Sequence, residues 1–336
     1  MEFPRLILDT RSLCHHMLFS GKDVDSLLLG DGSTINRAEF AFGKMLERYL
    51  LPIMNEFSPI SIIAVWDGGR AYRQNLYPKY KARRQEQKTK TDPLEVEQLA
   101  KLETLTKRFL AYMGAINVSV KTVEADDTIA LLCKSMPGVL KRIYTLDADL
   151  LQLIDDNTVV SLRDDTYFAG DVYQGTPVDL IRLRKSLVGD TSDEYGGVPQ
   201  IGEKAWLHLM NEFGVDGMHE LEQCVKTRNY TLLKEAFEES QDKALGKILE
   251  NTSTWELMYK LADLHPEICY GFDGKEKIQP VFYKRLPDRE KILGLLEMTG
   301  NSDRYGELSK HLPQFTLVDN SNYDCFLQAF EELAHT

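Results

Sequence analysis

The chain has 336 residues, 43% of them apolar, which is enough for one large domain or two moderate ones; no apolar run is long enough to cross a membrane. A net charge of −12 and a pI near 5.2 argue against a protein that binds nucleic acid over its whole surface. The five scattered cysteines, Cys14, Cys133, Cys224, Cys269 and Cys325, form no CxxC pair, which argues against zinc and suits reduced thiols in a cytoplasm.

Taken in order, strand and helix patterns alternate. Arg5-Leu6-Ile7-Leu8-Asp9 reads as a short buried strand ending on an acid, which is either functional or the N-cap of the next helix. The stretch before it, Met1 to Arg5, carries no signal-peptide pattern. Residues 21–33 read as loop. Phe40, Met45, Leu46, Tyr49 and Leu50 fall at helical spacing and predict a helix over 36–51. Residues 60–66 predict a second strand, again ending on an acid, Asp67, before Gly68-Gly69. Two strands separated by a helix, each finishing on Asp, predict a parallel α/β sheet. Ligand sites in such sheets lie at the carboxyl ends of the strands.

Residues 70–90 carry eight Lys or Arg and a single acid, Glu86. In Tyr77-Pro78-Lys79-Tyr80-Lys81-Ala82-Arg83-Arg84, tyrosines alternate with cations. A solvated charged helix is the ordinary explanation of such a run. The interleaved rings favour single-stranded nucleic acid, with bases stacked on aromatics and phosphates held by cations. An acidic protein can still hold DNA through one dense basic stripe, because local potential decides. Helix resumes over 93–113, opened by Pro93 and closed by Gly114.

A third strand, 116–120, leads into Val123-Glu124-Ala125-Asp126-Asp127 and an apolar helix. Glu124 and Asp127 share a helix face, with Asp126 beside them. Complementing the helix dipole accounts for one or two of these acids. Three beside an apolar run cost energy unless a cation sits among them, which points to a divalent-metal site of hard oxygen ligands. A fourth strand, 142–146, ends in Asp147-Ala148-Asp149; a fifth is predicted over 158–163. A basic helix over 177–187 carries Arg182, Arg184 and Lys185.

The glycine-rich stretch from Gly189 through Asp190, Asp193, Gly197, Val198 and Gly202 to Lys204 leads into a helix over 205–213. Helix, hairpin, helix suits gripping a phosphate backbone with hairpin amides and a helix N-terminus. A plain helical hairpin explains the glycines but not Asp190 and Asp193. Residues 215–336 show helical patterns at 245–264, 289–298 and 325–333 and no chemical motif. The recurring carboxylates, Asp9, Asp67, Glu124, Asp126, Asp127, Asp147, Asp149, Asp190 and Asp193, include no His or Cys. Oxygen-only ligation points to Mg2+ or Mn2+, and so many acids point to two ions sharing them.

In motif order the chain resembles the 5′ nuclease (flap endonuclease) superfamily, most closely its bacterial DNA polymerase I and phage branches. The matching pieces are Leu8-Asp9; Trp66-Asp67 followed by Arg73 and Tyr80-Lys81-Ala82-Arg83-Arg84; Val123 to Asp127; Thr145-Leu146-Asp147-Ala148-Asp149; and Gly189 to Asp193 through Gly202-Glu203-Lys204. Each is weak alone, and five in order are specific. The resemblance implies an α/β fold, with a mostly parallel central sheet flanked by helices in a PIN-like core. It implies a catalytic core over 1–214, with a helical arch at about 68–92 and a helix–three-turn–helix at about 177–213, then a helical C-terminal region over 215–336. Asp9, Asp67, Glu124, Asp126 and Asp127 look like one metal cluster; Asp147, Asp149, Asp190 and Asp193 look like a second. Lys81 and Arg84 match residues that contact the scissile phosphate. Arg70, Arg73, Tyr80 and Arg83 of the stripe, and Gly197, Val198, Gly202 and Lys204 at the hairpin, are the implied DNA contacts. A monovalent cation such as K+ is implied at the hairpin from Val198 to Gly202. Three positions depart from the family pattern: Val123 for Gly, Glu194 for Asn and Gly196 for Pro.

The activity so implied is Mg2+-dependent hydrolysis near the 5′ ends of flapped, nicked or RNA-primed DNA, leaving a 5′-phosphate and a 3′-hydroxyl, in replication or repair. With no polymerase pattern following, a stand-alone, monomeric, phage-type enzyme is expected, in the cytoplasm of a bacterial or phage-infected cell. The acidic pI leaves room for a single-strand-binding or replication protein as partner. Four rivals compete. A haloacid-dehalogenase phosphatase needs an Asp where Arg11 stands. A DxD sugar-nucleotide transferase leaves the hairpin and stripe unexplained. A PIN-type ribonuclease is usually shorter and lacks the hairpin. A non-catalytic DNA-junction binder would hold clustered acids at a cost without using them.

Overall fold

The computed structural model describes residues 5–20, 26–28, 34–57, 61–84, 91–264, 281–283 and 286–312. Seven strands form the central sheet: β1 (Arg5–Asp9), β4 (Ser61–Trp66), β5 (Ile116–Ser119), β6 (Lys141–Thr145), β7 (Thr158–Leu162), β8 (Asp165–Tyr167) and β11 (Val281–Tyr283). Two short antiparallel pairs stand outside it, β2 (Ser26–Leu28) with β3 (Thr34–Asn36), and β9 (Val172–Tyr173) with β10 (Thr176–Pro177). The sheet order is β11-β5-β4-β1-β6-β7-β8. The five inner strands are parallel, and β11 and β8 close the edges antiparallel.

Alternation along β1 explains why both faces are covered. Leu6 and Leu8 point into one core, with Ile62, Ala64 and Trp66 of β4. Ile7 points into the other, with Ile63, Val65, Ile143 and Val160. Helices Thr10–Ser20, Arg37–Met45, Pro93–Tyr112 and Arg289–Met298 cover the first face, and helix Ala125–Ser135 the second. Each fully buried Leu or Ile contributes about 2 kcal/mol of apolar burial. After β1 the chain moves to β4 and β5 on one side, then returns to β6 and β7 on the other. The switch point therefore falls between β1 and β6, where a crevice opens at the carboxyl ends of the strands.

Some predicted elements differ: the helix expected over 245–264 is two, Lys243–Glu250 and Thr252–Ala262, and the region expected as helical after 215 supplies β11. The segment 21–33, expected as loop, holds β2 in its described part; three residues are too few to show a period of two. The helix expected to end at 51 continues to Phe57 through a π turn, Leu46–Leu50. Pro52 follows that π turn; its missing N–H leaves a gap in the helical ladder, which the wider turn accommodates. The helix expected at 325–333, Cys269, Cys325 and arch residues 85–90 lie outside the described residues.

The expected division at residue 214 coincides with a kink. Gly214, with φ 65° and ψ −177°, interrupts the long helix Glu203–Thr227. The chain beyond it packs back onto what precedes it. Helices Thr231–Ser240, Lys243–Glu250 and Thr252–Ala262 share a third core with Leu183, Leu187, Val198 and Trp206. Arg182 holds both Glu222, at 3.0 Å, and Asp263, at 2.6 Å. β11 joins the sheet, and Ile292, Leu296 and Leu308 complete the first core.

Candidate metal centre and nucleic-acid interface

Each strand end at the switch point delivers an acid. Asp9 closes β1, Asp67 follows β4 and Asp147 follows β6. Glu124 is the N-cap residue of helix Ala125–Ser135, and Asp126 lies in its first turn. These five carboxylates line one cavity of about 630 Å3. Gly68 sets the spacing between two of them. Its N–H donates to Val123 O and its O accepts from the Thr122 N–H, both at 2.9 Å. A Cβ there would stand 1.8 Å from Val120 O, so only glycine lets the turn before Glu124 approach the end of β4. Asp67 accepts from the Gly69 N–H at 2.9 Å and from Arg11 Nη1 at 2.8 Å. Thr145 Oγ1 donates to Asp9 at 2.8 Å and accepts from the Asp147 N–H at 3.0 Å, joining the ends of β1 and β6.

The electrostatics are those of crowded negative charge. Burial raises the Asp9 carboxyl, and Asp147 adds to the rise against hydrogen bonds from Ser12 and Thr145. Burial, then Asp147 and Asp9, push Asp126 well above the usual range. Burial also acts to raise Glu124, but Lys81 and Arg73 outweigh it and hold that carboxylate low.

A second cluster adjoins the first. One oxygen each of Asp149, Asp190 and Asp193 lies within 4.8 Å of the others. Burial and Asp147 push the Asp149 carboxyl up to about 7. Lys185 pairs with Asp149 and lies 2.5 Å from Asp190. Burial raises Asp190, but Lys185 and Ser192 overcome it and bring it down to about 2. Asp147 Oδ1 accepts from the Asp149 N–H at 3.0 Å, so this one loop serves both clusters.

The segment expected to form the base of an arch runs between the clusters in its described part, residues 77–84. Lys81 is 7% exposed, with a left-handed φ of 51°, and its N–H donates to Asp193 O. Its Nζ stands 2.9 Å from Glu124 and 3.3 Å from Asp193. Arg84 is more open and reaches Asp193 at 3.5 Å. Both line the acidic cavity, as does Arg70. Arg83 and Lys204 are exposed.

Four sequence assignments need correction. Asp127 does not face the cavity. It is 1% exposed, and Arg73 grips its two oxygens at 2.6 and 2.9 Å. Arg73 is no DNA contact, being 3% exposed and bonded to Glu124, Leu261 O and Asp263 O as well. Tyr80 cannot stack on a base. It is 2% exposed, with its hydroxyl on Asp193 at 2.9 Å, in a small core with Tyr195, Met258 and Leu261. Val198 is 1% exposed in the third core, and its N–H is taken by Leu187 O at 2.8 Å. These four hold the arch, the helix and the hairpin together, because a buried Arg or Tyr must satisfy its polar groups inside the protein.

Gly197 is required by the turn, since at φ 66° a Cβ would meet Gly189 N and Leu187 O at 2.4 Å. Gly202 is different. It is exposed and extended at the start of helix Glu203–Thr227, and a Cβ there meets nothing within 4 Å. Gly202→Val is therefore expected to fold normally while placing a branched side chain at the helix N-terminus. If that N-terminus meets phosphate, affinity for duplex DNA should fall about tenfold and affinity for single strands should hold. Equal loss on both, measured by fluorescence anisotropy, would remove the hairpin from the interface.

The sequence reading missed four contributors. Lys185 was seen only as part of a basic helix, although it stands five residues before Asp190. Arg11, which bridges Asp67 and Glu103, served only to reject a rival. His15 and His16 line the cavity from the first helix, where burial, then neighbouring arginines, lowers both imidazoles. The one available signal was position on the helix that follows Asp9.

A parallel sheet with two adjoining acid clusters at its switch point, a basic segment against them and a hairpin beside them is an arrangement suited to divalent ions beside a polyanion. The family described as the 5′-3′ exonuclease, N-terminal resolvase-like domain, matches residues 4–175. The chain belongs to this 5′-3′ exonuclease family, and it is a nuclease. The 5′-3′ exonuclease of Bacillus subtilis is 29% identical over 308 residues, spanning 87% of this chain and 95% of that one. DNA polymerase I of Chloroflexus aurantiacus is 30% identical over 256 residues, which is 71% of this chain but only 25% of the polymerase. The T5 5′-exonuclease, solved with zinc bound, superposes with a TM-score of 0.59 at 17% identity, over 93% of this chain and 99% of that one. At that identity the likeness establishes the shared fold.

Proposed function

We propose that this protein is a structure-specific 5′ nuclease that hydrolyses phosphodiesters near the 5′ ends of flapped, nicked or RNA-primed DNA, in replication or repair. The observation that carries this reading is the pair of adjoining carboxylate clusters, three of whose members hold their protons above the usual range. Such a donor set, all hard oxygen and short of cations, fits divalent ions of the Mg2+ type. Asp9, Asp67, Glu124, Asp126 and Asp147 would hold one, and Asp149, Asp190 and Asp193, with Asp147 at the boundary, a second. When bound, such ions supply an oriented, activated water and neutralise charge growing on the phosphate.

The chain's own residues do the rest. Arg11 and the Gly69 amide orient Asp67. Lys81 and Arg84 bring positive charge to the cavity wall, where a scissile phosphate would lie. Arg70 and Arg83 extend that charge along the arch, and Gly202 and Lys204 offer a helix N-terminus to a duplex backbone. A monovalent cation at the carbonyls from Val198 to Gly202 belongs to the same proposal, as does the assignment of the chemistry to residues 1–214. The test is cleavage of a 5′-labelled flapped duplex with Mg2+ and with EDTA. Cleavage confined to the Mg2+ reaction is expected, with products ending in 5′-phosphate. Equal cleavage in EDTA would end the proposal.

Stability should report the same ions. Asp9, Asp126 and Asp149 have raised folded-state values, the last near 7. Their contribution to the metal-free fold is therefore present at low pH and is lost as pH rises through each raised value, about 7 for Asp149. Protons and divalent ions compete for these oxygens. Saturating Mg2+ is expected to leave Tm nearly unchanged at about pH 5 and to raise it on the order of 5 °C at about pH 8. A Tm shift independent of pH, read by differential scanning fluorimetry, would contradict the site.

A further inference from the structure

A second cleft, of about 610 Å3, opens on the other side of Arg11. It lies between one stripe of helix Pro93–Tyr112 and the carboxyl ends of β4 and β5. The helix turns Leu102, Leu105, Phe109 and Leu110 into the core. The neighbouring stripe, Ala100, Glu103, Thr104, Lys107, Arg108 and Ala111, faces the cleft instead. Small and charged side chains at those positions leave helix and sheet apart, where an apolar stripe would have closed them.

The chemistry of the walls is specific. Lys107 and Arg108 are exposed cations at the rim. Trp66 is 4% exposed and lines the cleft, and Lys107 Nζ lies 4.6 Å over its ring, so the side chain against that face of the indole is an exposed one that can swing aside rather than part of the core. Asn117 is 4% exposed, and its Oδ1 accepts from Trp66 Nε1 at 2.9 Å. That bond leaves Asn117 Nδ2 as a buried donor with no partner among the described residues. A buried donor without a partner costs stability that a ligand acceptor would recover. Glu103 Oε1, 3.3 Å from Arg11 Nε, likewise has no hydrogen bond of good geometry.

We propose that this cleft binds a nucleoside 5′-monophosphate unit, with its phosphate on Lys107 and Arg108, its base against Trp66 and its polar edge on Asn117. The volume suits a ligand of that size. An aromatic face, two cations and an unused amide donor together select a planar base joined to an anion, and neither an apolar ligand nor a bare anion uses all three. The site is new relative to the metal cavity, although Arg11 links the two by holding Asp67 with one nitrogen and Glu103 with another. On the nuclease reading, the unit is either a released mononucleotide or an unpaired nucleotide of the bound strand.

The experiment is calorimetric titration of the full chain with dAMP in EDTA, beside inorganic phosphate and deoxyadenosine. Because no cleavage is involved, failure here would leave the nuclease reading standing. Millimolar or tighter binding of dAMP is expected, at least tenfold tighter than either fragment. Lys107→Ala combined with Arg108→Ala, both at exposed positions, should weaken it at least tenfold, and Asp147→Asn should bind as the natural protein does. Phosphate binding as well as dAMP, or dAMP binding unchanged in the double variant, would overturn the proposal, as would no binding. Displacement of dAMP by a flapped duplex would identify the strand as the source, and coexistence of the two would identify the free nucleotide.

Discussion

Asp147→Asn is expected to abolish cleavage, by on the order of 10³-fold or more, while DNA binding stays within about threefold. The residue stands where the two acid clusters meet. Its charge acts on Asp9, Asp126 and Asp149, raising all three. Its Oδ1 also accepts from the Asp149 N–H, which an amide oxygen preserves, and it is exposed, so the substitution removes charge without disturbing the loop. Neither the arch nor the hairpin touches it through the hydrogen bonds that order them. Loss of its charge should also let Asp126 and Asp149 release their protons at lower pH. Single-turnover cleavage and anisotropy on one flapped substrate decide the matter. Turnover at the natural rate would remove Asp147 from the centre, and loss of folding, read by circular dichroism, would show a structural role instead.

Lys81→Ala is expected to reduce single-turnover cleavage by about 10²-fold, the scale of losing one preorganised electrostatic group. Its effect on equilibrium binding should be that of one phosphate contact. The buried position adds a second consequence. Lys81 neutralises Glu124 and Asp193, one from each cluster, and its ammonium is held charged against the cost of burial by those two carboxylates. Removing it leaves Glu124 to Arg73 and Asp193 to the more open Arg84, each short of one charge, which costs up to about 3 kcal/mol in the absence of metal. Mg2+ should restore much of that loss, since it supplies the missing charge. Lys79→Ala is the comparison, at an exposed position in the same stripe. Equal rates for the two variants at saturating enzyme would leave Lys81 without a catalytic role. A Tm loss in Lys81→Ala that Mg2+ does not touch would detach it from the metal centre.

The sequence by itself determined the frame. Short apolar strands ending on Asp9 and Asp67, and a third leading to Asp147, predict a parallel sheet with acids along one edge, because strand residues alternate faces and only the carboxyl ends lie open. The sequence marked Gly197 as part of a glycine-rich hairpin, but what Gly197 and Gly68 approach only the fold shows. Tertiary structure alone decided how like residues divide their work. Asp126 and Asp127 are neighbours in sequence, yet one faces the cavity and the other is locked to Arg73. Arg73 is locked in turn because carbonyls of Leu261 and Asp263 complete its hydrogen bonds. Tyr80 turns inward for the same reason, finding Asp193, Met258 and Leu261. Local pattern cannot supply such partners, since the direction of a buried polar side chain depends on whichever distant groups can pay for its desolvation. For Arg73 the completing carbonyls come from 188 and 190 positions away, in a region whose own sequence carried no motif.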